Sequence, residues 1–279
     1  MSIFEEKILY MKIVTTFYQQ KKIRYSDEGK GNVIVLLHGF IERIEIWNKL
    51  SKDLSKDNRV ICIELPGHGE SEVIAPTQTM ELMAEMVYEI LQNIGITEIV
   101  MVGHSMGGYV ALSFAEKYPI MLKGLGLFHS HALEDRPEAK LGRERTIEII
   151  KLNREGFIFN FIPELFAACN REKFSKDIEI LKEGAQTLTA EALIACLQGM
   201  RERTDKLMLL MEIDVPVMFI AGKDDSRVSM TSLMAQSVIP KHSEILILGD
   251  CGHMGYIEKK EETTNFIRQF VLNAYSLNK

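Results

Sequence analysis

The segment EIVMVGHSMG, residues 98–107, decides the fold of this chain. Its first five residues form a short β-prone apolar run, as a buried parallel strand requires. A helix-compatible segment follows at residues 109–118, and Pro119 ends it. The glycine-x-serine-x-glycine pattern between them is typical of a strand-to-helix turn that exposes a serine hydroxyl. We therefore predict that Ser105 is a nucleophile. The alternative is a glycine-rich turn that only lets a helix pack on a sheet.

Strand-like and helix-like patterns alternate on both sides of this segment. Such alternation predicts an α/β fold, with a mostly parallel central sheet covered by helices on both faces. The predicted strands are residues 12–18, 21–27, 32–37, 59–64, 98–102, 124–128, 215–220 and 244–248, of which the first two form a hairpin or edge pair. The predicted helices of this core are residues 44–55, 79–93, 109–118 and 266–274.

The alternation stops in one long region, residues 131–211, where the pattern is helical throughout. We predict that this region is an inserted helical cap, and that residues 1–130 and 212–279 together form the α/β core. Pro137 indicates the start of the first cap helix, and Gly156 indicates its end.

Length and charge limit the classes of function. The chain has 279 residues, enough for one α/β domain with a sizeable insertion, and its formal net charge is -6. An acidic balance argues against nucleic-acid binding, which depends on lysine and arginine neutralising phosphates. No apolar stretch approaches the length of a membrane span. We expect a small-molecule substrate, and the sequence leaves the oligomeric state open.

Cysteine usage and the N-terminus bear on the cellular compartment. The four cysteines have no paired spacing and lie in core-like or helical stretches, which predicts free, buried thiols; they are Cys62, Cys169, Cys196 and Cys251. Residues 1–7 carry acidic residues and do not resemble a secretory signal. We therefore expect a cytoplasmic protein. Whether residues 1–10 are ordered stays open.

Two C-terminal motifs supply partners for the serine. A serine hydroxyl is a poor nucleophile at neutral pH, so it needs a base, and the base needs a group that fixes its tautomer. AGKDDSRV, residues 221–228, and GDCGHM, residues 249–254, each follow a predicted strand directly. The carboxyl ends of parallel strands meet at one edge of the sheet, so Ser105, an acid of the first motif and His253 are predicted to converge.

Together with HGF at residues 38–40 and PGHGES at residues 66–71, these motifs resemble the α/β-hydrolase superfamily, in particular its carboxylesterase-like and lactonase-like members with a helical cap. The resemblance implies that Ser105 is the nucleophile, that His253 is the general base and acid, and that Asp225 orients the histidine. Asp225 is preferred over Asp224 because the family places the acid three residues beyond a glycine and three before a valine.

Acyl transfer places negative charge on the former carbonyl oxygen, which needs N–H donors arranged in advance. The backbone amide of Met106, directly after the nucleophile, is predicted to be one donor. The resemblance implies that the amide of Phe40 is the second. Both contacts use the main chain, so the backbone positions matter more than the side chains.

Substrate contacts are assigned to the loops and the cap. His129 and His131 follow a strand at the catalytic edge, where we favour loop histidines with satisfied hydrogen bonds, and His129 is the candidate among them for substrate contact. We also expect a contact from Phe159, in the aromatic segment 157–166, which favours an apolar acyl or alcohol group of modest size. Three basic residues share one face of the first cap helix and fit either a substrate carboxylate or, as we favour, a solvated charged face; they are Arg136, Lys140 and Arg143.

The other histidines give no sign of metal chemistry. His38 and His68 lie in motifs that the family uses to position backbone, and His104 occupies a variable position of the turn. Metal-ligand spacing of the H-E-x-x-H type is absent, as are the Walker and dinucleotide-binding glycine patterns. We expect neither a cofactor nor a metal.

The sequence thus predicts a serine hydrolase that cleaves a small carboxylic ester or lactone through an acyl-enzyme. Two alternatives stay open. One is other chemistry of the superfamily, either perhydrolysis or carbon–carbon bond hydrolysis. The other is a receptor of the same fold that signals through its cap. Fold alone does not choose among them.

Overall fold

The computed structural model describes residues 11–277 and contains an eight-stranded sheet. In space the strands run in the order β1-β2-β4-β3-β5-β6-β7-β8. Their bounds are β1 Ile13–Tyr18, β2 Lys21–Gly29, β3 Val33–Leu37, β4 Arg59–Ile63, β5 Ile99–His104, β6 Leu122–Phe128, β7 Val217–Gly222 and β8 Ser243–Leu248. The predicted fold class is confirmed.

The parallel and antiparallel parts of the sheet differ in burial. The six strands from β3 to β8 pair in parallel, and the internal strands β5 and β7 are buried along their whole length. β1 and β2 form the antiparallel edge, where exposed and buried positions mix because solvent reaches them. The expectation of an opening edge pair is therefore confirmed.

Helices lie on both faces of the sheet. α3 packs on β5 and β6 beside α2, whereas α10 packs on β6 and contacts α1. The first helical turn of α2 is capped by Thr79, whose side chain accepts a hydrogen bond from the amide of Leu82. The α-helices are α1 Asn48–Leu54, α2 Met80–Asn93, α3 Met106–Lys117, α4 Pro137–Phe161, α5 Ser175–Gln186, α6 Ala190–Glu202, α7 Leu207–Glu212, α8 Met230–Ser237, α9 Gly255–Glu258 and α10 Lys260–Leu277.

The four helices α4 to α7 lie between β6 and β7 in the chain, where the sequence predicts a cap. The predicted end of the first of them at Gly156 lies three residues beyond an actual break at Asn153, where φ is -155° and ψ is 78°, and a second helical part of α4 follows directly to Phe161. The side chain of Asn153 accepts a hydrogen bond from the amide of Gly156 at 2.8 Å and so caps the second half of the helix.

Three further expectations concern thiols, membranes and the N-terminus. All four cysteines are free; Cys62, Cys196 and Cys251 are buried as predicted, whereas Cys169 is exposed. Among residues 11–277, the helices are too short or too polar to cross a bilayer. The interpretations of the N-terminal segment fall on residues 1–10, which lie outside the described residues.

Candidate active site

Ser105 lies on a strained turn between β5 and α3. Its backbone has φ 51° and ψ -115°, outside the regions that a non-glycine residue ordinarily adopts. The turn is so tight that a Cβ on Gly103 would lie 2.2 Å from the carbonyl oxygen of Gly107, and a Cβ on Gly107 would lie 2.5 Å from the carbonyl oxygen of Leu37. Only glycine fits either position, as the elbow pattern requires.

Asp225 and His253 follow β7 and β8 and meet at the same edge. The Nδ1 atom of His253 lies 3.0 Å from Oδ1 and 2.9 Å from Oδ2 of Asp225, and the side chains are 4% and 2% exposed. Asp225 Oδ1 also accepts hydrogen bonds from the amides of Arg227 and Val228. Asp224, the alternative acid, is exposed. The geometry therefore favours Asp225 as the partner of the histidine.

The electrostatics of Asp225 match that role. Burial alone would raise the pKa of its carboxyl group, but the charge of His253 and hydrogen bonds from His129 and His253 hold this pKa well below its usual range. Asp225 is therefore an ionised carboxylate at any physiological pH. A carboxylate at Nδ1 fixes the proton there and leaves Nε2 free to act as a base.

Ser105 and His253 line one cavity of about 330 Å³. Within residues 11–277, the Ser105 hydroxyl and the His253 ring form no hydrogen bond with each other. Nucleophile–base distances are often long in unliganded sites. Much of the remaining wall is apolar and comes from the loop after β3 and from the inserted region; it includes Phe40, Phe157, Phe161, Leu165, Leu197 and Met200. Tyr109 of α3 and five polar or charged residues complete the wall: Glu42, His104, Arg143, Thr146 and Arg227.

Two main-chain amides beside Ser105 have no internal acceptor among the described residues. Met106 is the first residue of α3, so its N–H group has no acceptor within the helix. The N–H group of Phe40, in the loop after β3, takes no part in the loop hydrogen bonds. This loop passes close to the nucleophile, since a Cβ on Gly39 would lie 3.1 Å from the Cβ of Ser105. The assignment of these two amides to the oxyanion stays a prediction.

A buried polar network lies behind the nucleophile and was not predicted from the sequence. Glu42 Oε2 accepts hydrogen bonds from the amide of Gly39 and from Nδ1 of His104 at 3.0 Å, and Oε1 accepts from the Tyr256 hydroxyl at 2.9 Å. The Nε2 atom of His104 lies 2.9 Å from the backbone carbonyl oxygen of His253. The network therefore ties the loop after β3 to the turn and to the loop of the histidine.

The charges of this network follow from its hydrogen bonds. Both ring nitrogens of His104 face acceptors, so both carry protons and the ring is an imidazolium. Burial would lower the pKa of His104, but the Glu42 carboxylate reverses this and raises it. Burial likewise opposes the charge of Glu42, yet His104 and the amide of Gly39 lower its pKa to about 2. Glu42 and His104 thus form a buried ion pair.

Neither residue assigned to substrate contact lies on the cavity wall. His129 is fully buried behind Asp225, with its Nδ1 atom 2.9 Å from Oδ2. Phe159 is 59% exposed and lies under the Lys182 ammonium group, 3.9 Å from its ring centroid. Both assignments are therefore corrected: aromatic contacts come instead from Phe157 and Phe161, which helical periodicity places on the opposite side of α4 from Phe159.

The three basic residues predicted to share one face of the first inserted helix differ in their surroundings. Arg143 lines the cavity, but its guanidinium group is held by both carboxylate oxygens of Asp135, which also pairs with the buried Arg203 at 2.7 Å. Arg136 is exposed, and Lys140 pairs with Glu134 at the surface. Arg143 therefore serves first to anchor α4.

His38 and His68 connect loops, as their motifs predict. His38 Nε2 accepts a hydrogen bond from the amide of Leu65 at 2.9 Å, and His68 Nε2 accepts one from the amide of Ile41 at 3.3 Å. Burial lowers the pKa of both rings, that of His68 to about 3. They are neutral structural histidines.

One set of side chains has the composition of a metal site. The ligand atoms of His129, Asp225 and His253 lie within 4.8 Å of one another. Their hydrogen bonds to one another account for this closeness.

Comparison with known proteins gives consistent results. A family model described as the alpha/beta hydrolase fold matches residues 32–146. The structure of a thermophilic esterase from Thermogutta terrifontis superposes with a TM-score of 0.88 at 32% identity, covering 94% of this chain and 99% of that one. An enol-lactonase from Burkholderia xenovorans LB400 has a TM-score of 0.85 at 19% identity, covering 93% and 100%, which supports the fold alone.

A sequence relative brings in a different substrate. A 2-hydroxy-6-oxononadienedioate/2-hydroxy-6-oxononatrienedioate hydrolase from Burkholderia vietnamiensis is 26% identical over 274 residues, which cover 90% of this chain and 91% of that protein. The proteins that this chain resembles therefore include hydrolases with different substrates.

Proposed function

This chain belongs to the α/β-hydrolase superfamily, and within it we propose a serine hydrolase that cleaves a small carboxylic ester or lactone. The observation that carries the proposal is the Asp225–His253 hydrogen bond at the cavity that Ser105 lines. The strained backbone of Ser105 and the two unpaired amides beside it support the same chemistry. A turn with only a packing role would need none of these additions.

The proposed reaction has two halves. The Ser105 oxygen attacks the carbonyl carbon while its proton passes to Nε2 of His253, and the amides of Phe40 and Met106 hold the resulting oxyanion. The carbon–oxygen bond to the alcohol then breaks, and His253 gives its proton to that alcohol. In the second half water repeats the attack, and the acid leaves with Ser105 restored. A lactone would yield a single hydroxy acid.

The cavity supports a substrate of modest size. A volume of about 330 Å³ lies at the lower end of small-molecule pockets, and its wall is largely apolar. Residues 139–165 supply much of that wall. We therefore propose that residues 131–211 act as a cap that shapes the acyl and alcohol pockets, with residues 1–130 and 212–279 as the catalytic core.

A second candidate is carbon–carbon bond hydrolysis. It is favoured by the 26% identity, over nearly the whole chain, to the hydrolase from Burkholderia vietnamiensis. The esterase from Thermogutta terrifontis is more similar, at 32% identity, and this similarity supports ester cleavage as the first candidate.

The test is labelling with a fluorophosphonate probe, followed by a substrate panel. We expect the protein to be labelled, Ser105→Ala to abolish labelling, and ester turnover of this variant to fall by about 10⁴-fold or more. Ser113→Ala is the matched control, because Ser113 lies two turns further along α3 and hydrogen-bonds Glu81 outside the cavity. It should keep both labelling and turnover.

The panel combines short p-nitrophenyl esters, a small lactone and a 2-hydroxy-6-oxodienoate. Turnover of the esters or the lactone supports the proposal, whereas turnover of the dienoate alone supports the second candidate. Absence of labelling, or a Ser105→Ala variant with most of its activity, would refute the assignment of the nucleophile.

A further inference from the structure

We propose that His129 is a positioning residue, which as a permanently neutral imidazole donates its Nδ1–H to Asp225 and limits how firmly Asp225 holds a proton on His253. The inference rests on the proposed roles of Asp225 and His253. It assigns to a second histidine the task of setting the basicity of the first.

The two histidines share one carboxylate oxygen. Oδ2 of Asp225 lies 2.9 Å from Nδ1 of His129 and 2.9 Å from Nδ1 of His253, and the two ring centroids are 5.5 Å apart. An ionised carboxylate only accepts hydrogen bonds, so His129 Nδ1 must carry a proton. His129 therefore competes directly with His253 for the electron density of that oxygen.

The other nitrogen fixes the charge of His129. Its Nε2 atom is buried and has no hydrogen-bond partner among residues 11–277. It faces Gly255 so closely that a Cβ there would lie 2.5 Å from Nε2. If the ring gained its second proton, at Nε2, a charged N–H group would be buried without a partner, which is costly. An unprotonated Nε2 that is buried without a partner costs less free energy. Burial accordingly lowers the pKa of His129 to about 4.

The backbone holds the ring in place. His129 has φ 48°, in the left-handed region that side chains rarely adopt, and its amide donates to the carbonyl oxygen of Ile220 on the neighbouring β7. Its ring stacks on Phe128, with an interplanar angle of 27°. The donor therefore has a defined position, as a group that acts through hydrogen-bond geometry requires.

Several titratable side chains within residues 11–277 face His129 or the carboxylate it contacts. Those that act on His129 are Asp225, His253 and His104, the last with its ring centroid 5.9 Å from that of His129 and its own charge balanced by Glu42. His131 and Cys251 also interact electrostatically with Asp225. Asp225 receives donors from His129, His253 and two amides. Each donor reduces the electrostatic stabilisation that the Asp225 carboxylate gives to a protonated His253 ring. Removal of the His129 donor should therefore make the proton on His253 harder to remove.

The experiment compares His129→Leu with His129→Asn in pH profiles of kcat/KM. Leucine and asparagine are close in size, but only asparagine carries an N–H group near the position of Nδ1 and tolerates a positive φ. We expect the acid limb of the profile to move up by about half to one pH unit in His129→Leu. We expect His129→Asn to stay near wild type. An unmoved profile in His129→Leu, or an equal shift in both variants, would overturn the inference.

A measurement on the wild-type protein covers the case in which His129→Leu does not fold. Two-bond ¹H–¹⁵N correlation of ¹⁵N-histidine-labelled protein reports the tautomer of each ring, with His129 assigned by its loss in His129→Asn. We expect a neutral Nδ1–H ring from pH 5.5 to 8.5. An Nε2–H tautomer or an imidazolium overturns the inference. Absence of esterase turnover in wild type would instead count against the proposed function and leaves this readout intact.

Discussion

Replacement of Glu42 by glutamine should reveal the buried ion pair behind the nucleophile. Glutamine keeps the shape of Glu42. With its oxygen towards Gly39, that amide keeps its acceptor, and the new NH2 group can donate to the Tyr256 hydroxyl, which then accepts instead of donating. The substitution removes the negative charge that His104 needs. A neutral His104 carries one N–H group but faces two acceptors, the side chain of residue 42 and the carbonyl oxygen of His253, so one contact is lost.

The magnitude follows from burial. The side chains of His104 and Glu42 are 0% and 3% exposed, so water does not replace the lost partner. Breaking a buried pair costs about 3–5 kcal/mol, and the retained shape places Glu42→Gln near the lower value, about 3 kcal/mol. At roughly 2–4 °C per kcal/mol for a protein of this size class, Tm should fall by about 6–12 °C.

The pH dependence has a defined sign. The raised pKa of His104 means that its contribution to stability is complete below its ordinary value of 6.5 and is lost as pH rises through the raised value. The pKa of Glu42 falls from 4.5 to about 2, so its contribution is complete above 4.5 and is lost as pH falls towards 2. The stability difference between wild type and Glu42→Gln should therefore be largest between about pH 4.5 and 6.5.

Urea denaturation at pH 5.5 and pH 9 measures this difference. Glu85→Gln is the control, since Glu85 pairs with Lys117 at the surface and the loss should be at most about 1 kcal/mol. A Glu42→Gln difference no larger than that of the control at pH 5.5, or one that grows towards pH 9, would refute the assignment of an imidazolium to His104.

Three further predictions concern packing and substrate size. Gly107→Ala should destabilise the protein by about 1–3 kcal/mol in urea denaturation, because the added Cβ would meet backbone atoms. Gly142→Ala, which has open space around it in α4, should instead stabilise the protein by about 0.5–1 kcal/mol. A change in unfolding free energy of the same sign in both variants would contradict this prediction. Asp135→Asn leaves Arg143 and the buried Arg203 without their carboxylate, so Tm should fall by at least as much as in Glu42→Gln; an unchanged Tm would show that the pairs contribute nothing. Turnover of p-nitrophenyl esters should peak at short acyl chains because the cavity holds about 330 Å³, and a preference for long chains would contradict a substrate pocket of this size.

Much of the sheet and its carboxyl edge could be predicted from the sequence. Buried parallel strands appear as continuous apolar runs, and the residues that follow them must lie at one edge. Residues 98–107, 221–228 and 249–254 carry this information locally, so the positions of Ser105 and His253 at that edge followed from it. The break in α4 did not, because Gly156 indicates an end while the side chain of Asn153 restarts the helix.

The second layer of the site depends on contacts that no local pattern encodes. Tyr256 and Glu42 are 214 positions apart, and His129 and Asp225 are 96 apart. Which ring nitrogen of a histidine faces a carboxylate depends on side-chain rotation at the strand end. A histidine directly after a buried strand at the catalytic edge was the available signal for His129, and it supports substrate contact and contact with the acid equally well.

The hydrogen-bond partners of three neighbouring histidines assign them three different proton states. His104 has acceptors at both nitrogens and is charged, whereas His129 has one acceptor and one buried unpaired nitrogen and is neutral. His253 has a carboxylate at Nδ1 and no partner at Nε2 among residues 11–277, at a point that the cavity reaches. Only this third arrangement lets a ring gain and lose a proton without leaving a buried group unpaired. The proposed base, His253, is thus the ring of these three that has a carboxylate at one nitrogen and an unpaired second nitrogen at the cavity.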